Sequence, residues 1–539
     1  MLSFIKKKKN ILLKTIYIFT VFFISFTFFN SLKNNFYYSQ GDSAFFVDFI
    51  FNIAKTNKFE SNIFSSFWYH ASYLTKSSEQ YCKDLNLHDL SNITNISMIK
   101  YNHAYLIAYP ISFLVKIGLT AHNVSALIFT LNWILIFYCI YNFLKKKIKI
   151  ILSLSFLFLL INWPPFLYGI YGQYYFDRLF ILPMIFTIFL YYDFFENNKN
   201  YLLIIFLALL TSLIHERAAL MMGFFLFFYS LLKTNFKILK NLKIFFIFLL
   251  GVILIFYYFL YSKFYQISYY ESSVGLATMV HNFYRLFSDG EYLNQTIKLL
   301  LVSLPFFILS IPNIRLFIIS VISIIPNILI TIGGAEKIGF STHYHSFYVP
   351  FLIASSAIGI SEFCSSENKR FRLNKNFIIY TTSALLLIFT LFYDFSKNKI
   401  ISFSKTSYGK NLFIRNFFHI FNQNSYNFYY NNIYLKNFSL SNIIPDNTTI
   451  SLDEYIMPFF STSNILFNVF PLGVGKVDYV IAPYSKIGNV YDLTVPSFTD
   501  SINQSKIKIC VADILKEKYV KIKDFDYFSG ARYSLYKIK

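Results

Sequence analysis

Long runs with scarcely a charge alternate with short lysine clusters along the first three quarters of the chain. The runs are Ile11–Asn30, Val124–Leu144, Ile150–Trp163, Leu179–Phe195, Tyr201–Ile214, Ala218–Leu232, Ile244–Tyr261, Leu299–Ile311, Leu316–Ile332, Phe347–Phe363 and Phe377–Phe392. Apolar stretches of this length predict membrane-spanning helices, about eleven of them, because only a helix satisfies its own backbone in lipid. Tyr101–Gly118 is also apolar, but Pro110 interrupts it and Lys116 stands near its end. If it crossed, Lys145, Lys146, Lys147 and Lys149 after the next run would fall outside; read as an interfacial helix, it leaves them in the cytoplasm. Ser43–Ala54 reads as a second helix lying on the membrane surface, within a large external loop over residues 31–120. Beyond Asp394 the pattern changes. Short β-rich runs at Thr449–Leu452, Val477–Ala482, Tyr519–Ile522 and Tyr533–Ile538, with a helical stretch near Val511–Glu517, predict a small α/β domain. The expected architecture is an all-α polytopic membrane domain over residues 1–395 and an extracytoplasmic α/β tail over 396–539.

Composition agrees. The 539 residues are 55% hydrophobic and 14% charged, against about 25% charged in a soluble protein. A net charge of +22 would suggest nucleic acid in a soluble chain. Here the lysines flank apolar runs, so they read as positive-inside topology and attraction to anionic membrane lipid, with no nucleic acid partner. Lys6–Lys9, Lys233, Lys237, Lys240, Lys243, Lys369, Arg370, Arg372 and Lys375 then share the cytoplasmic side. Residues 2–30 read as a retained signal anchor. The four cysteines, Cys82, Cys139, Cys364 and Cys510, form no C-x-x-C pair. Cys82 and Cys510 share the external space, but a disulfide between them is not the expectation.

This topology places His215, Glu216 and Arg217 at an outward hairpin tip rather than at mid-bilayer, where each charge would cost about 2.5–3.5 kcal/mol or more. The same face collects Asp42, Asp48, His103, Asp177, Arg178, Glu271, Arg285, Lys337, His343, Tyr344 and His345. A carboxylate there can deprotonate a hydroxyl or bind a divalent cation; arginine and lysine can hold a phosphate leaving group. Plainer roles stand beside each: Asp42 and Asp48 can keep a surface helix wet, Asp177–Arg178 can be a helix-start ion pair, and Glu216 can simply hold Arg217.

In order, the stretches NHAYLIAYPISFLVKIG, YYFDRLFILPMIF, LLTSLIHERAALMMGFFLF and the His-Tyr stretch running to Pro350, together with the Pro-Asp and Asp-Tyr-Val pattern of the tail, resemble the predicted membrane proteins of domain-of-unknown-function family 2079. That family is similar to the GT-C superfamily of glycosyltransferases. The resemblance runs from Gly41 to Pro483. It implies a GT-C-like fold and an acidic residue of the first external loop, Asp42 or Asp48, as base or metal-facing group. It matches His103 and Glu216 to family positions; His215 stands where a lysine is usual and Asp177 where an aromatic-His pair is commoner.

The expectation is a membrane glycosyltransferase. It takes a sugar from a polyprenyl-phosphate-linked donor to an envelope glycan or lipid at the outer face of the cytoplasmic membrane. Asp42, Asp48 and Glu216 are the catalytic candidates. His103, Asp177, Arg178, His215, Arg217, Lys337, His343 and Tyr344 are the substrate-binding ones, and a divalent cation (magnesium or manganese) is compatible with them. A lipid-glycan flippase and a non-enzymatic envelope protein remain alternatives. The enzyme reading asks that Asp42, Asp48, Arg178 and Glu216 surround one outward cavity. Sugar, acceptor, oligomeric state and metal need are not encoded in any motif.

Overall fold

A computed structural model describes residues 41–73, 96–163, 174–197, 199–266, 276–329, 343–365, 447–453, 456–460, 466–487, 490–495, 501–526 and 532–539, with isolated positions between them. The described helices are α1 (Gly41–Thr56), α2 (Asn62–Tyr73), α3 (Ala108–Lys116), α4 (Ala121–Leu144), α5 (Ile150–Asn162), α6 (Ile181–Asn197), α7 (Tyr201–Ile214), α8 (Glu216–Thr234), α9 (Leu242–Leu260), α10 (Leu276–Ser288), α11 (Gly290–Ser310), α12 (Ile314–Leu329) and α13 (Val349–Ser365). Six helical stretches are long and apolar enough to cross a membrane: Ala121–Leu144, Phe176–Phe195, Glu216–Thr234, Leu242–Tyr265, Gly290–Ser310 and His345–Cys364. Three shorter apolar helices, Leu152–Ile161, Tyr201–Ile214 and Ile314–Leu329, lie among them. This is the build of a multi-pass membrane protein. The expected span Phe377–Phe392 and most of Ile11–Asn30 lie outside the described residues.

Residues 262–295, between the runs Ile244–Tyr261 and Leu299–Ile311, carry a turn of π-helix (Tyr261–Tyr265), the amphipathic α10 and the first turns of α11, which the apolar runs do not mark. The helix read as lying wet on the membrane surface is buried on nearly every side: Ala44, Phe45, Phe46, Val47, Phe49, Ile50 and Ile53 of α1 all belong to the main core. A helix apolar all round is stable only when covered all round. By contrast α3 is too short to cross, since nine residues rise only about 13 Å. Its Tyr109, Phe113 and Ile117 recur every turn and are exposed, which suits a helix at the edge of the apolar phase.

The ends of the bundle differ in chemistry. At one end Lys147 pairs with Asp193 (3.1 Å), Tyr192 and Asn313 donate to Glu362 (3.0 and 2.7 Å), and Arg315 donates to the Leu232 carbonyl (3.0 Å). These are the C-terminal ends of α4, α6, α8 and α13 and the start of α12, so those four long helices run in one direction. Between the ends, α8 and α9 cross at Gly223 and Gly251; a Cβ on Gly223 would stand 2.6 Å from the Gly251 carbonyl oxygen. Small residues let helix backbones meet this closely where no hydrophobic effect drives them together.

The tail sheet comprises β1 (Thr449–Leu452), β2 (Leu466–Val469), β3 (Tyr479–Ile487), β4 (Val490–Leu493), β5 (Tyr519–Asp526) and β6 (Arg532–Ile538), with helix α14 (Ser501–Lys518) before β5. The strand order is β2-β1-β3-β6-β5, and β4 forms a hairpin with the end of β3. β1 is parallel to both neighbours, whereas β6 runs antiparallel to β3 and β5. Alternation along a strand divides the sheet's faces. Val480 and Ala482 pack with Ile507, Val511, Ile514 and Leu515 of α14, while Tyr479, Ile481 and Leu535 join the core that contains α1. The turn Met457–Phe460 packs on α1, and β2 packs on α2. Cys82 and Cys510 are joined in a disulfide, contrary to expectation; their sequence separation of 428 hid the pairing. The tail is therefore built onto the first loop rather than standing apart from it.

Candidate functional site

Six polar residues drawn from three segments converge where helices begin or end. α7 stops at Ile214 because His215 is extended (φ −168°, ψ 144°) and caps α8: its Nδ1 accepts the Arg217 backbone N–H at 2.9 Å. Glu216 thereby becomes the first residue of α8, where a carboxylate is favoured by the helix dipole. The segment ahead of α3 brings His103 to it. His103 Nδ1 lies 2.6 Å from Glu216 Oε1, and the Ala104 backbone N–H donates to Glu216 Oε2 at 3.0 Å. A 3₁₀ turn, Phe176–Phe180, brings Asp177, whose Oδ1 lies 3.4 Å from His215 Nε2. Arg217 is near enough to Asp177 and Glu216 to offset their charge. Arg178 is buried beside Asp177, over the Tyr175 ring.

The hydrogen bonds assign the protons. A carboxylate only accepts, so His103 donates from Nδ1 and its Nε2 is left as an acceptor when the ring is neutral. His215 accepts at Nδ1, so its proton sits on Nε2, directed to Asp177. The two imidazoles, 4.3 Å apart, are thus opposite tautomers. His103, His215 and Glu216 also offer three donor atoms within 4.8 Å of one another, the one such group among the described residues. A cation taken by His103 Nδ1, a Glu216 oxygen or His215 Nδ1 would have to displace the hydrogen bonds those atoms already make. The set fits a proton-handling pair better than a metal site.

The His-Glu-Arg stretch does join α7 to α8 as a hairpin tip, but the side chains of His215 and Glu216 are covered. His215 and Glu216 are 0% and 1% exposed, and His103 is 7% exposed. Tyr105 and Phe347 set their ring edges against His215 at 5.2 and 5.4 Å. Compensation by His103, Ala104 and Arg217 makes a buried Glu216 tolerable. Tyr261 and Gln266, flanking the π-helical turn, donate to the carbonyls of Ile99 and Asn102 and so hold the approach to His103. The sequence offered no signal for either.

Asp48 lies elsewhere. Phe46 sets its ring against Tyr105 (5.0 Å) and Phe176 (4.8 Å); two residues on, Asp48 falls about 200° around the helix. It accepts from Ser61 Oγ (2.6 Å), the Ile63 N–H (3.2 Å) and Asn52 Nδ2 (3.0 Å). Ser61 in turn accepts from the Phe64 N–H at 3.0 Å, so Asp48 secures the start of α2. Burial pushes its carboxyl up to about 6, against the lowering by those hydrogen bonds. Asp42 is in the first turn of α1, but its side chain lies outside the described residues, as do those of His343 and Tyr344. Lys337 and Glu271 lie outside them altogether. His345 Nδ1 lies 3.0 Å from the Tyr348 hydroxyl, and Arg285 is paired with Asp289 at 2.7 Å.

Compared with family models, curated proteins and solved structures, the chain matches none of them.

Proposed function

We propose that the protein is a membrane glycosyltransferase that takes a sugar from a polyprenyl-phosphate donor to an envelope glycan or lipid at the outer face of the cytoplasmic membrane. On this reading its N-terminus is cytoplasmic and its tail extracytoplasmic. The observation that supports it is the His103–Glu216 pair. A buried carboxylate holds one imidazole nitrogen and leaves the other to take a proton. Asp177 and Arg217 stand beside that pair, Arg178 adjoins Asp177, and apolar helices suited to a polyprenyl chain surround them. The requirement that Asp48 share the site is not met, so the reading moves the base from Asp48 to His103.

In the proposed step the acceptor hydroxyl gives its proton to His103 Nε2 while its oxygen bonds to the anomeric carbon. The bond from that carbon to the phosphate oxygen breaks, and polyprenyl phosphate leaves. Glu216 stabilises the imidazolium, and Arg178 and Arg217 hold the phosphate charge. No step requires a metal ion, though magnesium or manganese remains compatible with the phosphate.

Purified protein is incubated with labelled polyprenyl-phosphate sugars and candidate acceptors. His103→Ala and Glu216→Gln are expected to lower transfer by about 10²–10⁴-fold, the usual worth of a positioned base. Asp48→Asn keeps transfer, and Asp42→Asn reports on the first loop. Transfer undiminished by His103→Ala overturns the assignment. A folded protein that moves lipid-linked glycan across vesicles and forms no product is a flippase instead.

A further inference from the structure

The face of the tail sheet turned away from α1 is only partly covered by α14. A cleft of about 730 Å³ remains between them, within the roughly 300–1,000 Å³ of ordinary small-ligand sites. Its helical wall carries Ser505, Lys508, Ala512 and Lys516, which share one stripe of α14. Its floor and far wall carry Tyr484, Tyr491 and Tyr536, with Lys521 at one end. The walls are fixed. Tyr484 and Tyr536 hydroxyls meet at 2.7 Å, and Arg532 lies 3.8 Å over the Tyr491 ring. α14 is fastened below by Ile507, Val511 and Leu515 and from the first loop by the Cys82–Cys510 disulfide.

The lining chooses the ligand class. Among the lining residues Lys508, Lys516 and Lys521 stand against Asp492, which is paired with Lys508; Lys521 is paired with Asp524 at 2.7 Å, and the exposed Lys516 adds a further positive charge. The balance favours an anion. Tyr484, Tyr491 and Tyr536 bring ring surface, that of Tyr491 shared with Arg532, and hydroxyls that both donate and accept, which suits the C–H faces and the many hydroxyls of a pyranose. We propose that this cleft is a binding site for an acidic saccharide, a sugar chain whose rings carry carboxylates. The proposal stands on the tail alone and holds whether or not the His103–Glu216 cluster transfers sugar.

The full-length protein in detergent is titrated calorimetrically with a uronate-containing tetrasaccharide, a neutral tetrasaccharide, uridine monophosphate and inorganic phosphate. The uronate chain is expected to bind at least about tenfold more tightly than each of the others. Lys516→Glu, an exposed change that leaves the unfolding midpoint in place, removes that preference, and Tyr491→Ala weakens both saccharides. Equal binding of acidic and neutral chains, phosphate or nucleotide binding as tight as the uronate chain, or no saccharide binding by protein with its disulfide intact overturns the proposal.

Discussion

Replacing Asp48 by asparagine separates a structural carboxyl from a catalytic one. Asp48 is fully buried, and its three donors come from Asn52, Ser61 and Ile63. Desolvation dominates over those bonds and carries the carboxyl from 3.8 to about 6. The neutral acid is therefore favoured by folding. Its contribution is complete below pH 3.8 and is lost as pH rises through about 6. A gap of about two pH units is worth about 3 kcal/mol, so wild-type protein gains about that much stability on going from pH 7.5 to pH 4 through this one group. The asparagine side chain has the same shape and no charge. Its oxygen accepts from Ser61 and Ile63, and rotation of the Asn52 amide restores the third bond. The expected outcome is a variant whose midpoint matches or exceeds wild type at pH 7.5 and no longer rises relative to it on acidification. The free thiols Cys139 and Cys364 are half-buried and serve as reporters for a thiol-reactive dye during thermal unfolding. A variant at least as destabilised at pH 7.5 as at pH 5 refutes the reasoning. A variant fully stable yet without transfer activity returns Asp48 to the role of base.

Other expectations follow from single features. In denaturing detergent without reductant two of the four cysteines should react with a thiol reagent, and all four after reduction; four before reduction rules out the Cys82–Cys510 bond. Cys510→Ser should lower the stability of the tail by about 2–5 kcal/mol, read as earlier proteolysis of the tail. Gly223→Val should force α8 from α9, because the added carbon meets the Gly251 carbonyl; a loss below about 1 kcal/mol in dye-monitored unfolding would show that the crossing relaxes freely. Gly359→Ala, whose Cβ would run into the Leu309 carbonyl oxygen, should separate α13 from α11 in the same assay. Glu216→Leu should destabilise more than Glu216→Gln, since leucine leaves the His103 and Ala104 donors without an acceptor, at about 1–3 kcal/mol each.

Local patterns carried much of the architecture. α7 spans the Tyr201–Ile214 run that its composition marks out, and β1 is the Thr449–Leu452 run. In both, the pattern itself decides the element. β2 was missed because four residues with a polar Asn468 make no distinct alternation; it is a strand because β1 offers a parallel edge. The burial of α1 was misread because an apolar helix in a polar loop looks the same whether it meets lipid or protein. Topology puts His103, Asp177, His215, Glu216 and Arg217 on one face, and the structure brings these five together, whereas Asp48, put on the same face, lies apart. His103 and Glu216 are 113 positions apart, and their contact depends on a cap at His215 that only the backbone reveals.

The position of α1 also bears on the order of assembly. It is synthesised before α2 to α13, yet the strands and turn that pack on it and on α2 are made only after α13. Until Met457–Phe460 arrives, α1 lacks part of its cover, an interval in which exposed apolar surface invites misassembly. A chain cut short before β1 would then lose more than its tail. It would strip from the first loop the contacts that β2 makes with α2 and that Met457–Phe460 makes with α1, leaving α1 to its packing on α2, α3 and α4.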